Sequence, residues 1–103
     1  MDENQQPLVS IIVLNYNAKD FLINCIDSIF QSKYQNFEVI LVDNNSDDNS
    51  FEICKNNHPE INLITNNTNL GYCGGNNIGI KQAKGKFIII LNPDTIVKPD
   101  WIN

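Results

Sequence analysis

The sequence contains no arginine and only one histidine, and its cations are seven lysines scattered along 103 residues. Twelve acidic residues outnumber these lysines and give a formal net charge of −5. A surface that binds nucleic acid needs clustered cations to meet the phosphate backbone. The composition therefore argues against a nucleic-acid partner.

Cysteines and long apolar runs are also scarce. Cys25, Cys54 and Cys73 are odd in number and lack the spacing of a metal site, which favours packing roles in a reducing compartment. No apolar run approaches the roughly 20 residues of a membrane helix. The polar segment 1–7 also lacks the apolar core of a secretory signal. The sequence predicts a disordered leader over residues 1–7, no transmembrane segment and a cytoplasmic location.

Three apolar runs each end at a cluster of polar residues. The runs cover residues 9–14, 37–42 and 87–91, and runs that are apolar on both faces are typical of buried parallel strands. Open α/β sheets carry their ligand groups just past the carboxyl ends of such strands. We therefore expect one edge of the sheet to carry the polar residues that follow the runs, namely Asn15, Tyr16, Asn17, Asp43, Asn92 and Asp94.

The segments between these strands predict helices. Apolar residues recur at helical spacing over 21–30, with Asn17 as the N-cap and Asp20 in the first turn. A shorter helix opens within 47–50 and ends at His58-Pro59. His58 has no partner in the sequence pattern, so we assign it no catalytic role.

The second half of the chain continues this alternation. Residues 61–64 predict a short strand near an edge of the sheet. A loop over 66–75 with two adjacent glycines leads to a third helix that starts at Asn76 and closes at Gly85, and Pro99 is suited to start a further helix. The alternation predicts one α/β domain over residues 8–103, with a mostly parallel sheet and flanking helices.

Two aspartates are candidates for ligand contacts, and each has a plainer alternative. Asp43 is placed to accept hydrogen bonds from a base imide or a ribose hydroxyl, or it is a turn former that caps the next helix. Asp94 can hold a divalent cation that bridges a diphosphate, since magnesium sites often use only one or two carboxylates, or it belongs to an ordinary Pro-Asp turn.

The glycine-rich segment and one tyrosine complete the candidates. Residues 71–77 can let backbone approach a ligand closely, and the following helix offers free amides to a phosphate; a merely flexible loop is the alternative. Tyr16 can stack on a base or pack at the strand end. An oxidoreductase of the Rossmann type is disfavoured, because Asn15-Tyr16-Asn17-Ala18 stands where its glycine-rich first turn would be.

In order, these pieces resemble the amino-terminal part of family 2 glycosyltransferases, which are inverting enzymes with the nucleotide-diphospho-sugar transferase (GT-A) fold and a Rossmann-like amino-terminal half. The resemblance extends over nearly the whole chain from Val9 onward. It rests on four segments: Val9-Ser10-Ile11-Ile12-Val13-Leu14-Asn15-Tyr16-Asn17, Glu38-Val39-Ile40-Leu41-Val42-Asp43-Asn44-Asn45-Ser46-Asp47, Asn69-Leu70-Gly71-Tyr72 with Gly74-Gly75-Asn76-Asn77-Ile78-Gly79, and Leu91-Asn92-Pro93-Asp94-Thr95.

The resemblance implies a role for several residues. It implies that Asn15 and Asn17 line the nucleotide pocket, that Asp43 meets the base or ribose, and that Asn77 approaches the ribose or diphosphate. Asp94 is similar to the last carboxylate of the family's aspartate-x-aspartate motif, which ligates manganese or magnesium. Asn92 replaces the first aspartate of that motif, so it can still bond a ribose hydroxyl but weakens the metal site.

The resemblance also carries expectations about the whole protein. The Asn-Pro-Asp variant is similar to a rhamnosyltransferase-like branch, which favours a UDP- or dTDP-linked donor used in polysaccharide biosynthesis, in the cytoplasm or at the cytoplasmic face of the membrane. The family's general base lies beyond Asn103, so this chain is expected to be an inactive donor-binding part. We expect strand 87–91 to expose its edge and to form a homodimer. The alternative is a non-catalytic nucleotide-binding or assembly module.

Overall fold

The protein is described by a computed structural model that covers residues 6–102. Strands and helices alternate along the chain, as the apolar pattern predicts. The strands are β1 (Val9–Asn15), β2 (Phe37–Asp43), β3 (Asn62–Thr65) and β4 (Phe87–Leu91), and the helices are α1 (Asp20–Phe30), α2 (Ser50–Asn57) and α3 (Gly71–Gln82).

The four strands form one parallel sheet in the order β3-β2-β1-β4. The predicted α/β class with a mostly parallel sheet is therefore confirmed, and β3 lies at an edge as expected. The chain moves from β1 outward to β3 and then returns to the other side of β1 to form β4. The strand order thus reverses between β1 and β4, and such a switch point leaves a crevice at the carboxyl ends of the strands.

The helices cover the two faces of the sheet. Ile11 and Val13 of β1 face the larger core, to which α1 contributes Leu22, Cys25, Ile26 and Ile29. On the opposite face Ile12 packs with Ile40 and Val42 under α3. Successive residues of a strand point to opposite faces, so the continuous apolar runs of β1 and β2 follow from a sheet whose central strands are covered on both sides.

The third helix starts earlier than predicted. It begins at Gly71 and includes Gly74 and Gly75, so the prediction of a loop over 66–75 is wrong for its second half. The reason lies in packing, because a Cβ on Gly75 would lie 2.4 Å from Leu14 Cδ1, and one on Gly79 would lie 2.7 Å from Ile12 Cγ2. These glycines let the helix approach the sheet closely.

The predicted cap of the first helix is also wrong. Asn17 does not cap α1: its backbone has φ 54°, and its Oδ1 accepts a hydrogen bond from the amide of Asp47 at 2.7 Å. Lys19 occupies the N-cap position without a side-chain bond, although Asp20 does lie in the first turn. Pro99 lies in a turn, and its carbonyl accepts a hydrogen bond from the amide of Lys33 at 2.7 Å; a helix that starts there stays a prediction.

Other local predictions have mixed outcomes. Cys25 and Cys54 are buried as expected, but Cys73 is exposed, so its predicted packing role is wrong. His58 directly follows α2, as predicted, and the structure supplies the partner that the sequence pattern lacked: its Nε2 lies 2.9 Å from Asp27 Oδ1. The contact between His58 and Asp27 therefore links the end of α2 to α1.

The ends of the chain are only partly described. Within the predicted leader, residues 1–5 lie outside the described residues, while the carbonyls of Gln6 and Pro7 accept hydrogen bonds from the side chains of Asn36 and Tyr34. None of the helices within residues 6–102 is long and apolar enough to cross a membrane.

Candidate functional site

The carboxyl ends of β1 and β2 are joined through their last residues. Asn15 and Asp43 are register partners, and Asn15 Nδ2 donates to Asp43 Oδ1 at 2.8 Å. Ser46 also binds the Asp43 carboxylate, through its hydroxyl at 2.7 Å and its backbone amide at 2.9 Å. Asn15 and Asp43 are 0% and 1% exposed, so this network forms the buried floor of the sheet edge.

The loops that follow these strands are also bonded to each other. The amide of Asn17 donates to Ser46 Oγ at 2.9 Å, and the amide of Lys19 donates to Asp48 Oδ2 at 3.1 Å. Asn17, Lys19 and Asn45 have φ values of 54°, 56° and 66°. Such left-handed backbone persists only where surrounding contacts impose it, so the cross-bonding fixes the path of both loops.

Titratable groups around the loops and under the edge have shifted pKa values. Burial acts to raise the pKa of Asp48, but hydrogen bonds from Ser50 and Lys19, together with the charge of Lys19, prevail and lower it. Burial raises the pKa of the Cys25 thiol to about 11, opposed by a bond to the Thr95 backbone and aided by the Asp94 carboxylate. Burial likewise raises the pKa of Cys54 to about 12. Both thiols therefore stay protonated at neutral pH.

A cavity of about 300 Å³ lies at the switch point of the sheet. It is bounded by residues at the carboxyl ends of β1, β2 and β4 and around the start of α3, which are Leu14, Tyr16, Asn44, Asn69, Gly71, Tyr72 and Pro93. Tyr16 and Tyr72 are 50% and 61% exposed, so two phenol rings border the opening. None of these seven lining residues carries a charge, and their chemistry suits a flat, hydrogen-bonding ligand such as a nucleobase.

Asn44 holds one wall of this cavity, a role that sequence reasoning missed. Its Nδ2 donates to the carbonyl of Gly71 at 3.1 Å, and its Oδ1 accepts from Asn66 Nδ2 at 2.9 Å and from the amide of Leu70 at 3.3 Å. Asn44 is buried. Its place directly after a buried strand was the only signal in the sequence, because its partners lie more than twenty residues away.

The residues after β4 lie beside the cavity. Pro93 lines it, while Asn92 and Asp94 on either side of Pro93 are exposed. The structure brings Asn15 and Asp43 into contact and places Tyr16 and Pro93 around the same cavity. Within residues 6–102, no hydrogen bond joins Asp94 to Asn15 or Asp43. Asp94 is therefore an exposed residue next to Pro93 and not part of the buried floor.

Two further predicted residues can be placed. Asn77 is exposed on α3, whereas its neighbour Asn76 is buried and both polar atoms of its side chain lack a partner within the described chain. Residues 6–102 contain no group of three or more histidine, cysteine, aspartate or glutamate side chains arranged to hold a metal ion. Among the residues predicted to form the site, the candidate metal ligands are the carboxylate of Asp94 and the amide oxygen of Asn92. These two groups suit a cation that takes its other ligands from phosphate and water.

Comparison with known proteins identifies relatives. The model of the family described as Glycosyl transferase family 2 matches residues 10–103. The chain is 38% identical over 98 residues to glycosyltransferase GlyG of Streptococcus pneumoniae, covering 92% of this chain and 33% of the relative. It is 37% identical over 96 residues to the Escherichia coli UDP-Glc:alpha-D-GlcNAc-diphosphoundecaprenol beta-1,3-glucosyltransferase WfgD, covering 92% and 36%. The chain thus spans about a third of the length of these curated relatives.

Solved structures agree with this comparison. S. aureus TarS 1-349 in complex with UDP superimposes with a TM-score of 0.81 at 28% identity, over 89% of this chain and 29% of that one. Mannosyltransferase PcManGT from Pyrobaculum calidifontis, in complex with GDP-Man and Mn²⁺, gives 0.81 at 25% identity, over 90% and 29%. The resemblance to family 2 and the GT-A fold class are confirmed, while the rhamnosyltransferase-like branch stays a prediction.

Proposed function

The chain belongs to glycosyl transferase family 2, and from this premise we propose that it is the donor-binding part of an inverting enzyme that takes a UDP- or dTDP-linked sugar. The observation that supports the proposal most is the cavity at the switch point, bordered by Tyr16 and Tyr72. A related protein, S. aureus TarS 1-349, has been solved with UDP and with UDP-GlcNAc. In this proposal the acceptor hydroxyl displaces the nucleoside diphosphate with inversion at the sugar carbon.

We assign the nucleoside to the exposed side chains of this cavity. Tyr16 stacks on the base, a contact of about 1–3 kcal/mol for an aromatic side chain. Asn92 bonds a ribose hydroxyl, and Asn77 approaches the ribose or diphosphate from α3. The support for these roles is the exposure of all three side chains on the elements that surround the carboxyl edge.

Asn15, Asn17 and Asp43 belong to the same proposed pocket. Their polar atoms already bond one another or the loop 46–47. We therefore propose that they act chiefly by holding the pocket in shape. Three bonds are made to the Asp43 carboxylate, two at Oδ1 and one at Oδ2, which leaves Oδ2 one lone-pair site for the base or ribose.

We propose that Asp94 would hold a divalent cation, Mg²⁺ or Mn²⁺, which would neutralise the charge of the diphosphate. Such a cation would supply the positive charge that a diphosphate needs. The lining of the cavity is uncharged and the chain has no arginine, so neither provides this charge. Asn92 offers only a neutral oxygen, so the site is expected to bind metal more weakly than one with two carboxylates. The related PcManGT was solved with Mn²⁺.

We further propose that these 103 residues bind donor without transferring sugar. The support is that the chain spans about a third of its relatives' length, and that an inverting displacement needs a general base to take the acceptor proton. A sugar-transfer assay with the purified chain that shows turnover would refute this point.

The three free thiols support a cytoplasmic location.

Calorimetry with UDP and dTDP, each with and without Mn²⁺, tests the donor assignment. We expect Mn²⁺ to tighten binding, Tyr16→Ala to weaken it by roughly tenfold or more, and Asp94→Asn to abolish the Mn²⁺ effect. Asp100→Asn is the matched control, since Asp100 is exposed and does not line the cavity. No binding of either nucleotide at millimolar concentration would overturn the proposal.

The outer edge of β4 supports a proposal of self-association. Within residues 6–102, β4 pairs with β1 and with no other strand, and Phe87, Ile88 and Ile90 are 54%, 44% and 40% exposed. Unpaired apolar edges are sites of strand addition, so we propose a homodimer that covers residues 87–91. The same edge supports the second candidate function, a non-catalytic assembly module.

Sedimentation at several concentrations tests the dimer. We expect Ile88→Lys to yield a monomer, while Ile96→Lys, at a residue 63% exposed outside the strand, leaves the dimer intact. A wild-type chain that sediments as a monomer at all concentrations would refute the dimer. Retained dimerisation without nucleotide binding would favour the assembly module over the transferase.

A further inference from the structure

The segment after β4 lies along α1, and we name residues 92–102 the strap. Three side chains of α1 or of its C-terminal end bond the strap in sequence order. Cys25 Sγ donates to the carbonyl of Asn92 at 3.8 Å, the amide of Val97 donates to Ser28 Oγ at 3.1 Å, and Trp101 Nε1 donates to Ser32 Oγ at 2.7 Å. The strap is therefore anchored at its start, middle and end.

The three anchoring residues share one face of the helix and its final turn. Cys25, Ser28 and Ser32 are spaced by three and four residues, which places them one above another, and all three are buried. Val97 and Trp101 of the strap pack against the core on the same side. A buried polar stripe on an otherwise apolar helix face needs partners, and the strap supplies them.

The two serines are oriented to accept hydrogen bonds. Ser28 Oγ donates its proton to the carbonyl of Cys25 at 2.7 Å, and Ser32 Oγ donates to the carbonyl of Ile29 at 2.6 Å. A hydroxyl has one proton and two lone pairs. Because the proton is used within the helix, the oxygen of each serine is left to accept the N–H groups of the strap.

Asp94 lies between the first two anchors. The turn that carries it is closed by the amide of Thr95, which donates to the carbonyl of Asn92 at 3.1 Å. Cys25 holds that same carbonyl, and Ser28 holds Val97 three residues beyond Asp94. The backbone on both sides of the exposed carboxylate is therefore fixed to α1.

We propose that Cys25 and Ser28 are positioning residues for Asp94, which they hold next to Pro93 in the place where it would meet the cation. This inference rests on the proposed function, in which Asp94 ligates a divalent cation. A ligand carried by a turn is useful only if the turn is held in the productive geometry, because displacements of about 1 Å weaken such sites. Neither Cys25 nor Ser28 contacts the nucleotide in this arrangement.

Paired variants test the proposal. Ser28→Ala removes the middle anchor, and its control is Ser10→Ala, since Ser10 is also buried and its hydroxyl accepts the amide of Gly85 at 2.8 Å at the amino end of the sheet. Cys25→Ala removes the first anchor, and its control is Cys54→Ala, since Cys54 is buried in the same core without a bond to the strap. Each variant is compared with its control at temperatures that lie equally far below their unfolding midpoints.

Two measurements are made on the full chain. Hydrogen exchange of the peptide covering 92–97 is expected to be at least tenfold faster in Ser28→Ala and Cys25→Ala than in their controls. The tightening of UDP binding by Mn²⁺, taken as the ratio of the dissociation constants without and with Mn²⁺, is expected to fall roughly fivefold or more in both variants. The controls are expected to keep both the slow exchange and the Mn²⁺ effect.

The outcomes separate this inference from the proposed function. If Mn²⁺ does not tighten UDP binding to the wild-type chain, the cation assignment of Asp94 fails and the positioning role falls with it. If the wild-type Mn²⁺ effect is present but Ser28→Ala and Cys25→Ala retain it, the positioning role alone is refuted. Unchanged exchange at 92–97 in both variants would also refute it, whatever the nucleotide measurements give.

Discussion

Asn15 and Asp43 end adjacent parallel strands as register partners and bond each other at 2.8 Å across the sheet edge. This bond is the shortest that Asn15 Nδ2 makes, since its contacts with the hydroxyls of Ser46 and Ser50 are both 3.3 Å. The Asp43 carboxylate also holds the amide and hydroxyl of Ser46. One side chain thus fixes both the strand pair and the first turn of the following loop.

Removal of this carboxylate is expected to destabilise the fold. Asp43→Ala leaves the Ser46 amide without its acceptor and Asn15 Nδ2 with only its 3.3 Å bonds to Ser46 and Ser50. We expect the free energy of unfolding in urea to fall by about 2–3 kcal/mol. Asp47→Ala is the control, because Asp47 is exposed in the same loop, and it is expected to change stability by less than about 0.5 kcal/mol. Equal losses in the two variants would contradict the assigned role.

The close approach of α3 to the sheet yields a second prediction. Alanine normally favours a helix over glycine by about 1 kcal/mol, but a Cβ on Gly79 would lie 2.7 Å from Ile12 Cγ2 and 3.2 Å from Val42 Cγ2. Both are β-branched side chains with restricted rotamers. We therefore expect Gly79→Ala to lower the free energy of unfolding by about 1–3 kcal/mol.

Gly74 provides the comparison for this prediction. Its Cβ would meet only Leu70 Cβ, at 3.1 Å, on the preceding turn. We expect Gly74→Ala to be more stable than Gly79→Ala by at least about 1 kcal/mol in the same urea titration. If Gly79→Ala is the more stable variant, the glycine does not serve packing.

The comparison of sequence and structure shows what local pattern can predict. The strand runs, the spacing of apolar residues in α1 and the break at His58 are local signals, and all lie where expected. The start of α3 was missed because Gly74 and Gly75 are usual loop signals. Only the nearness of Leu14 in the folded chain explains why Gly75 occurs in a helix.

In the candidate site, too, the sequence predicts positions along the strands but not the contacts between distant residues. The sequence predicts that Asn15 and Asp43 reach one sheet edge, because strand ends in a parallel sheet meet there. It does not predict that they bond each other, nor that Asn44 holds the loop at Gly71. The pair of His58 and Asp27 was missed for the same reason, since 31 residues separate its members.

The amide at position 92 yields a prediction on metal affinity. Asn92→Asp adds a second carboxylate near Asp94, so we expect Mn²⁺-dependent UDP binding to tighten roughly fivefold to tenfold, as hard cations prefer charged oxygen ligands. Asn57→Asp makes the same change in net charge at the exposed end of α2 and is the control. Equal tightening by both variants, measured by calorimetry, would indicate a general charge effect.

The backbone at Lys19 yields a prediction of a gain in stability. Lys19 has φ 56° and ψ −129°, a conformation that glycine adopts without the steric cost borne by a residue with a Cβ. Its amide bond to Asp48 does not need the side chain. We expect Lys19→Gly to raise the free energy of unfolding by about 1 kcal/mol.

Lys33→Gly is the control for this gain. Lys33 is also exposed but is not among the residues with positive φ in the described chain, so glycine there only adds freedom to the unfolded state and is expected to cost about 0.5 kcal/mol. A loss of stability in both variants, measured by urea unfolding, would show that Lys19 is not strained.

Asp48 gives the chain a predicted dependence on acid. Hydrogen bonds from Ser50 and Lys19 hold its pKa below the ordinary value of 3.8, against the effect of burial. A carboxyl with a lowered pKa stabilises the fold above its unfolded pKa, and this contribution is lost as pH falls through the folded pKa. Wild type is therefore expected to exceed Asp48→Asn in stability at pH 7, and the difference is expected to vanish below pH 3.8 as the folded pKa is passed.

Urea unfolding at several pH values measures this difference in stability, with Asp47→Asn as the control for a nearby exposed carboxylate. A difference between wild type and Asp48→Asn that stays constant from neutral pH into acid would contradict the assigned shift.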